Sequence, residues 1–273
     1  MIHEVYPIQM DGSQPYARLV TYIQDYSEAI GIDNRKLVLL CPGGGYAHTS
    51  DREAEAMALQ FLAMGYHAAV LRYSVAPAKY PTALLEVAKS VQIIREHAKE
   101  WHVDADKIVV EGCSAGGHLA ASYSMFWRKP FVAEALGILG EDAEKILKPN
   151  GMMLSYPVIT SGEFAHRGSF ENLLGDRQEE LGQEMSLEFQ VSKDVPPAFI
   201  WHTFEDGAVP VENSLLLVSA LRREGVSTEF HMYPRGCHGL ALANELTATP
   251  QGGAYEPDCS SWISLAKTWM ENL

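Results

Sequence analysis

The chain has 273 residues, 47% of them hydrophobic and 21% charged, a composition that suits one large globular core and excludes a disordered or fibrous protein. Its formal charge of -14 at pH 7 repels phosphate backbones and anionic lipid surfaces. Nucleic acid and membrane are therefore not expected partners, and a neutral, cationic or carbohydrate-like small molecule suits the chain better.

The opening Met1-Ile2-His3-Glu4-Val5-Tyr6-Pro7 carries neither a basic nor an apolar leader segment, and no run approaches the roughly 20 apolar residues of a membrane span. The expectation is a cytoplasmic protein. Short β-branched runs then alternate with helical patterns, which predicts a mostly parallel sheet covered by helices. Strands are expected from Arg18 to Tyr22, Lys36 to Cys41, His67 to Tyr73, Lys107 to Glu111, Gly151 to Ser155, Ala198 to His202 and Thr228 to Tyr233. Several are apolar on both sides, as strands buried on two faces should be.

Ser50-Asp51-Arg52-Glu53 has capping-box spacing, and Ala54, Met57, Ala58, Phe61 and Leu62 follow at helical intervals, predicting a helix that ends near Gly65. Pro81 suits a first helical turn, after which Leu84, Leu85, Ala88, Val91, Ile94 and Ala98 form one apolar stripe for packing on the sheet. The alternation breaks at about 129–150 and 157–196, both polar and glycine-rich. These read as insertions that cap a site at the carboxyl ends of the strands. With no repeat, low-complexity tract or linker, residues 1–273 are expected to form one domain.

The run Lys107-Ile108-Val109-Val110-Glu111 leads directly into Gly112-Cys113-Ser114-Ala115-Gly116-Gly117, and a helical pattern opens at His118-Leu119-Ala120-Ala121. Strand, sharp turn and helix form the setting in which a strained serine aims its hydroxyl outward, with Gly112 and Gly116 giving clearance. A purely structural glycine turn is the competing reading, and the flanking elements argue against it. Upstream, the strand ending at Cys41 runs into Pro42-Gly43-Gly44-Gly45-Tyr46, where bare backbone can point N–H groups at a ligand. The expectation is an oxyanion loop, with Gly44 and Gly45 as donors joined by the N–H of Ala115. A phosphate cradle fits less well, because no Walker lysine follows and no GxGxxG is present.

A serine hydroxyl needs a base, and the base needs an acid to orient it. One late strand leads through Thr203-Phe204-Glu205 to Asp206, and the last strand leads to Gly236-Cys237-His238-Gly239. Ser114, His238 and Asp206 are thus the expected nucleophile, base and orienting acid, with Glu205 as the alternative acid. Tyr46 and His48, beside the glycine loop, are candidate substrate contacts. For His118, in the helix after the turn, packing and function are equally open, and the strand or helix residues His67, His97, His102, His202 and His231 have packing readings available. No HExxH or similar pattern occurs, so neither metal nor cofactor is expected. Cys41, Cys113, Cys237 and Cys259 form no CxxC pair and are expected as reduced thiols. The first three neighbour the chemistry-bearing segments and read as small apolar fillers, with oxidative sensitivity as the rival reading.

Together these segments resemble the α/β-hydrolases with a glycine-rich oxyanion loop, which include hormone-sensitive-lipase-like carboxylesterases and bacterial acetyl-xylan and feruloyl esterase-like proteins. The resemblance runs from about Lys36 to Leu240. It rests on Pro42-Gly43-Gly44-Gly45-Tyr46, Leu71-Arg72-Tyr73, Gly112-Cys113-Ser114-Ala115-Gly116-Gly117, Asp206 with Val209-Pro210, and Gly236-Cys237-His238-Gly239, and the chain order Ser, Asp, His is that of the fold. Pro42 stands where many relatives carry His, as in the acetyl-xylan-esterase-like branch.

What the resemblance implies is an α/β-hydrolase fold and a serine carboxylesterase acting on short acyl esters, with an acylated oligosaccharide such as acetylated xylo-oligosaccharide as the expected small-molecule substrate. The insertions are too short and polar for a lipase lid. An amidase, formamidase or peptidase on the same fold is the second reading, and a ligand-binding receptor on a retired hydrolase scaffold is the non-enzyme reading, disfavoured by the complete Ser-Asp-His set. The sequence leaves open whether the chain forms a homodimer.

Overall fold

The computed structural model describes residues 1–138, 140 and 142–273. Among these, eight strands form one sheet: β1 (Val5–Pro7), β2 (Arg18–Tyr22), β3 (Arg35–Cys41), β4 (His67–Arg72), β5 (Val103–Cys113), β6 (Gly151–Ser155), β7 (Ala198–Thr203) and β8 (Thr228–Tyr233), in the order β1-β2-β4-β3-β5-β6-β7-β8. β2 pairs antiparallel with β1 and β4, and every pairing from β4 across to β8 is parallel. The predicted mostly parallel sheet is thus present. All seven expected strands occur at or within a few residues of their predicted positions; β5 starts at Val103 rather than Lys107 and carries a register shift opposite Arg35 and Leu37. The three-residue β1 is additional: it is too short to carry a period and ends in proline.

Helices cover both faces. They are α1 (Glu55–Ala63), α2 (Thr82–Glu96), α3 (Ala115–Phe126), α4 (Pro130–Ala135), α5 (Asp142–Leu147), α6 (Arg167–Leu174), α7 (Gln178–Leu181), α8 (Glu212–Arg223) and α9 (Trp262–Glu271). One core cluster joins the sheet to α2, α3 and α8, and a second joins the opposite face to α1 and α9. The α2 stripe is fully accounted for, since Leu84, Leu85, Ala88, Val91, Ile94 and Ala98 are all buried. Each of its larger aliphatic members contributes about 1.5–3 kcal/mol by leaving water. Among the described residues, no helix is long and apolar enough to cross a membrane.

Two expectations need correction. The capping box is not formed: α1 begins at Glu55 behind Ala54 without a side-chain cap, and the Glu53 carboxylate is turned inward to Gly43 and Tyr156. A buried donor pair competes better for that carboxylate than a solvated helix end. The described part of 129–150 also does not cap the carboxyl edge; Leu139 and Glu141, which this expectation included, lie outside the described residues. Arg95 at the end of α2 donates to the carbonyls of Ile146 and Lys148, both at 2.6 Å, and the Asn150 N–H reaches Ile108 O at 2.8 Å, near the start of the apolar half of β5. The reason is topological. α3 starts at the carboxyl edge and runs back across the sheet, so the chain that leaves it emerges at the amino edge. The segment 157–196, by contrast, leans over the carboxyl edge, where Asn172 Nδ2 donates to Gly45 O at 2.9 Å and Leu173 O accepts from Tyr80 N at 2.9 Å.

Glu111 lies wholly inside β5. Its Oε1 accepts from Ser155 Oγ at 3.0 Å and from Cys113 Sγ at 3.4 Å, whereas Oε2 has no partner. Burial pushes its carboxyl from 4.5 up to about 8, against the lowering effect of the Ser155 and Cys113 hydrogen bonds. Between those two values the folded chain holds a proton that the unfolded chain has lost, so this residue's stabilising contribution is complete below about pH 4.5 and falls as pH rises towards about 8. Glu111→Gln keeps the neutral shape without the titration. In thermal melts the variant's Tm advantage should widen from about pH 5 to about pH 8 and then level off; a gap independent of pH would disprove the neutral buried carboxyl.

Candidate active site

The turn after β5 takes the predicted strained form, with Ser114 at φ 55° and ψ -121°. Such backbone costs about 1–3 kcal/mol and persists where its surroundings over-determine it. Here the Ser114 N–H donates to Ser155 O at 2.9 Å, and its carbonyl accepts from Val158 N at 3.0 Å and His118 N at 3.2 Å. The flanking glycines are required by close approach: a Cβ at Gly112 would lie 2.1 Å from Gly116 O, and one at Gly116 would lie 1.9 Å from Cys41 O.

Ser114 Oγ lies 2.7 Å from His238 Nε2, and His238 Nδ1 lies 2.6 Å from Asp206 Oδ2. The tautomer that satisfies both contacts carries its proton on Nδ1, donating to Asp206 and leaving Nε2 to accept from the serine hydroxyl. The remaining oxygen, Asp206 Oδ1, accepts from the N–H groups of Ala208 at 3.0 Å and Val209 at 2.9 Å. Burial alone would raise the Asp206 pKa. Hydrogen bonds from His202 and His238, with the His238 charge and the Val209 N–H, outweigh it and hold the carboxyl well below the usual range. Glu205, the alternative acid, is exposed.

Beside Ser114 is a cavity of about 200 Å³ whose walls include Gly44, Gly45, His48, Glu53, His166 and His238. The N–H groups of Gly44, Gly45 and Ala115 have no acceptor among the described residues. A larger depression of about 460 Å³, beside Thr228, Trp269 and Leu273 at the amino edge, holds none of the predicted site residues. Among the described residues, no group of three His, Cys, Asp or Glu side chains is placed to hold a metal ion.

His48 is exposed at the cavity wall, but Tyr46 is not a wall residue. Its ring is 2% exposed, and its hydroxyl meets His118 Nδ1 at 3.0 Å beneath the loop. At φ 56° Tyr46 swings inward, where an aromatic ring gains more from the core than from the cleft. Cys41, Cys113 and Cys259 are buried and Cys237 is exposed, all four as free thiols, so the filler reading fails for Cys237.

Sequence reading missed three neighbours of the site. His202, taken as a packing residue, has Nε2 3.2 Å from Asp206 Oδ2 and Nδ1 2.8 Å from Ser214 Oγ; its place four residues before the acid was the available signal. His166, with Nδ1 2.8 Å from Ser169 Oγ, lies in a stretch without periodicity that offers none, and burial followed by the His238 charge lowers its pKa. Tyr156 carries no sequence signal either; its ring stands edge-on to the His238 ring at 5.1 Å.

The chain is similar in sequence and fold to known proteins. The chain is 38% identical over 235 residues to endo-1,4-beta-xylanase B of Butyrivibrio fibrisolvens, covering 81% of the chain and 35% of that protein. It is 29% identical over 208 residues to an acetylxylan esterase of Xylanibacter ruminicola, covering 74% of the chain and 40% of that protein. It thus spans well under half the length of these two curated relatives. The crystal structure of an acetyl ester-xyloside bifunctional hydrolase from Caldicellulosiruptor lactoaceticus superposes with a TM-score of 0.80 at 35% identity, covering 95% of this chain and 89% of that one. The family model described as BD-FAE matches residues 25–221, a span that contains the glycine loop, the Ser114 turn and the Asp206 loop. With its sheet order and strained serine turn, the chain belongs to the BD-FAE family of α/β-hydrolases.

Proposed function

We propose that the protein is a serine carboxylesterase that removes short acyl groups, acetyl above all, from carbohydrates such as xylo-oligosaccharides, through an acyl-enzyme on Ser114. The observation that carries this reading is the unbroken hydrogen-bond chain from Ser114 Oγ through His238 to Asp206, opening beside unpaired glycine amides. His238 Nε2 takes the serine proton as Oγ attacks the ester carbonyl. The ionised Asp206 stabilises the resulting imidazolium. Charge on the former carbonyl oxygen is received by the N–H groups of Gly44, Gly45 and Ala115, each such donor being worth about 2.7–4 kcal/mol. His238 then protonates the departing alcohol, and a water repeats the cycle to free the acid and regenerate the serine.

Cavity shape and the names of relatives support the substrate class. About 200 Å³ leaves room for a small acyl group, and the walls are glycine, imidazole, hydroxyl and carboxylate rather than an apolar slot. Sugar hydroxyls find partners in His48 and His166. The named activities of the relatives act on xylan, its acetyl esters or xylosides.

Ser114→Ala should lower kcat at least about a thousandfold with the far-UV circular dichroism unchanged; near-normal turnover would refute the assignment. In a pH-stat, acetylated xylo-oligosaccharides should be hydrolysed faster than formylkynurenine or aminoacyl amides, and p-nitrophenyl acetate faster than the octanoate. The opposite ranking would defeat the short-acyl ester reading. His166→Ala should raise KM for the acetylated oligosaccharide about 3- to 10-fold, the loss of one hydrogen bond, and leave KM for p-nitrophenyl acetate unchanged. Equal effects on both substrates would remove His166 from sugar recognition.

A further inference from the structure

The hydrogen-bond chain of the proposed mechanism does not include Glu53, yet this carboxylate is 3% exposed and fully engaged on the sheet's carboxyl edge. Its Oε2 accepts from the Gly43 N–H at 2.8 Å, and its Oε1 accepts from the Tyr156 hydroxyl at 2.8 Å. That hydroxyl in turn accepts from the Ala241 N–H at 2.9 Å, three residues beyond His238. One side chain therefore connects the glycine loop after β3, the turn after β6 and the chain after the histidine.

The connected backbone is not at rest. Tyr156 at φ 40° and Ala241 at φ 52° both occupy the left-handed region, which is costly for a side-chain-bearing residue and persists only where its surroundings hold it there. Gly43 is equally constrained: a Cβ there would lie 2.7 Å from Cys113 O, 2.8 Å from Glu53 Oε2 and 2.9 Å from Ser114 Cβ. The loop is thus clamped between the serine turn and the carboxylate. A run of three glycines has the greatest backbone freedom a chain can have, so donors at Gly44 and Gly45 need an anchor at the head of the run. The Gly43 N–H bond to Glu53 supplies one.

We propose that Glu53 is a positioning residue, which sets the oxyanion amides and the His238 segment in register through its bonds to Gly43 and Tyr156. Although it borders the cavity, its hydrogen bonds run to Gly43 and Tyr156 and none runs to Ser114, His238 or Asp206. The inference rests on the reading of Ser114 as nucleophile and adds to it a means of holding two loops from different strands in one geometry. Preorganised donors act in the transition state, so loosening them lowers kcat and spares substrate binding.

The test uses Glu53→Gln and Tyr156→Phe in the full chain. Glutamine can still accept from Gly43, but its amide then faces a hydroxyl that already accepts from Ala241 and whose own proton loses its acceptor. Tyr156→Phe cuts the same link from the other side while retaining the ring against His238. Each variant should lose about 10- to 100-fold in kcat on p-nitrophenyl acetate with KM within about twofold. A trifluoromethyl ketone, which forms a tetrahedral adduct with the serine, should lose affinity in proportion to kcat/KM. The double variant should lose less than the product of the single losses, because both act through one link. Rates are referred to active sites titrated with a serine-reactive phosphonate, so a misfolded fraction drops out, and Tyr156→Phe carries the test if Glu53→Gln does not fold. Wild-type kcat and ketone affinity in both variants, or losses confined to titrated site number, would overturn the proposal. Ser114→Ala separates the two claims: if it is inert while the Glu53 and Tyr156 variants behave as wild type, only the positioning role fails, and if it turns over normally the underlying reading fails with it.

Discussion

Strands β6 and β7 are buried at every residue, and this double-sided burial constrains the rest of the molecule. Backbone sealed on both faces must satisfy its N–H and C=O groups within the ladder, so polar chemistry leaves the sheet only where strands stop. From β4 to β8 the strands are parallel and stop on the same edge. Ser114 and His238, 124 residues apart in the chain, meet at 2.7 Å because each lies just past the end of its strand. The strained serine turn follows from the same packing, since the helix after it must start against the neighbouring strand ends without room for a Cβ at Gly116.

Buried carboxyls near those strand ends take opposite states. Asp206 is surrounded by donors on both oxygens, two backbone N–H groups and two imidazoles, and is held ionised far below its usual range. Glu111, more deeply enclosed, has one oxygen without a partner, and burial carries it up to about 8. Deeper burial wins at Glu111, whereas at Asp206 the imidazole and backbone donors, with the His238 charge, outweigh a smaller desolvation.

The strands were legible because short apolar or alternating runs next to glycine and proline announce themselves over five or more residues, as in Gly151–Ser155 before Pro157 and Thr228–Tyr233 before Pro234. The meeting of Ser114, Asp206 and His238 was legible too, since each follows a strand and a turn motif limits where its side chain can go. Destinations that depend on distant partners were not. Glu53 has the local spacing of a helix cap, and only the Tyr156 hydroxyl, 103 residues away, explains why it turns inward. Tyr46 follows three glycines in a way that suggests the cleft, yet His118 and the core draw it under. The segment after α3 looked like a cap because polarity marks loops at either edge equally; the direction of the preceding helix is what decides between them.

Segment 157–196 begins on β6 and returns to β7, two neighbours in the sheet, and lends His166 to the cavity and Asn172 to the Gly45 carbonyl without supplying any member of the serine–histidine–aspartate chain. Its first residues belong to the foundation, since the Val158 N–H holds the Ser114 carbonyl at 3.0 Å, whereas His166 further along belongs to the wall. A change confined to the stretch beyond Val158 can therefore reshape the cavity wall while the hydrogen bonds among Ser114, His238 and Asp206 stay in place.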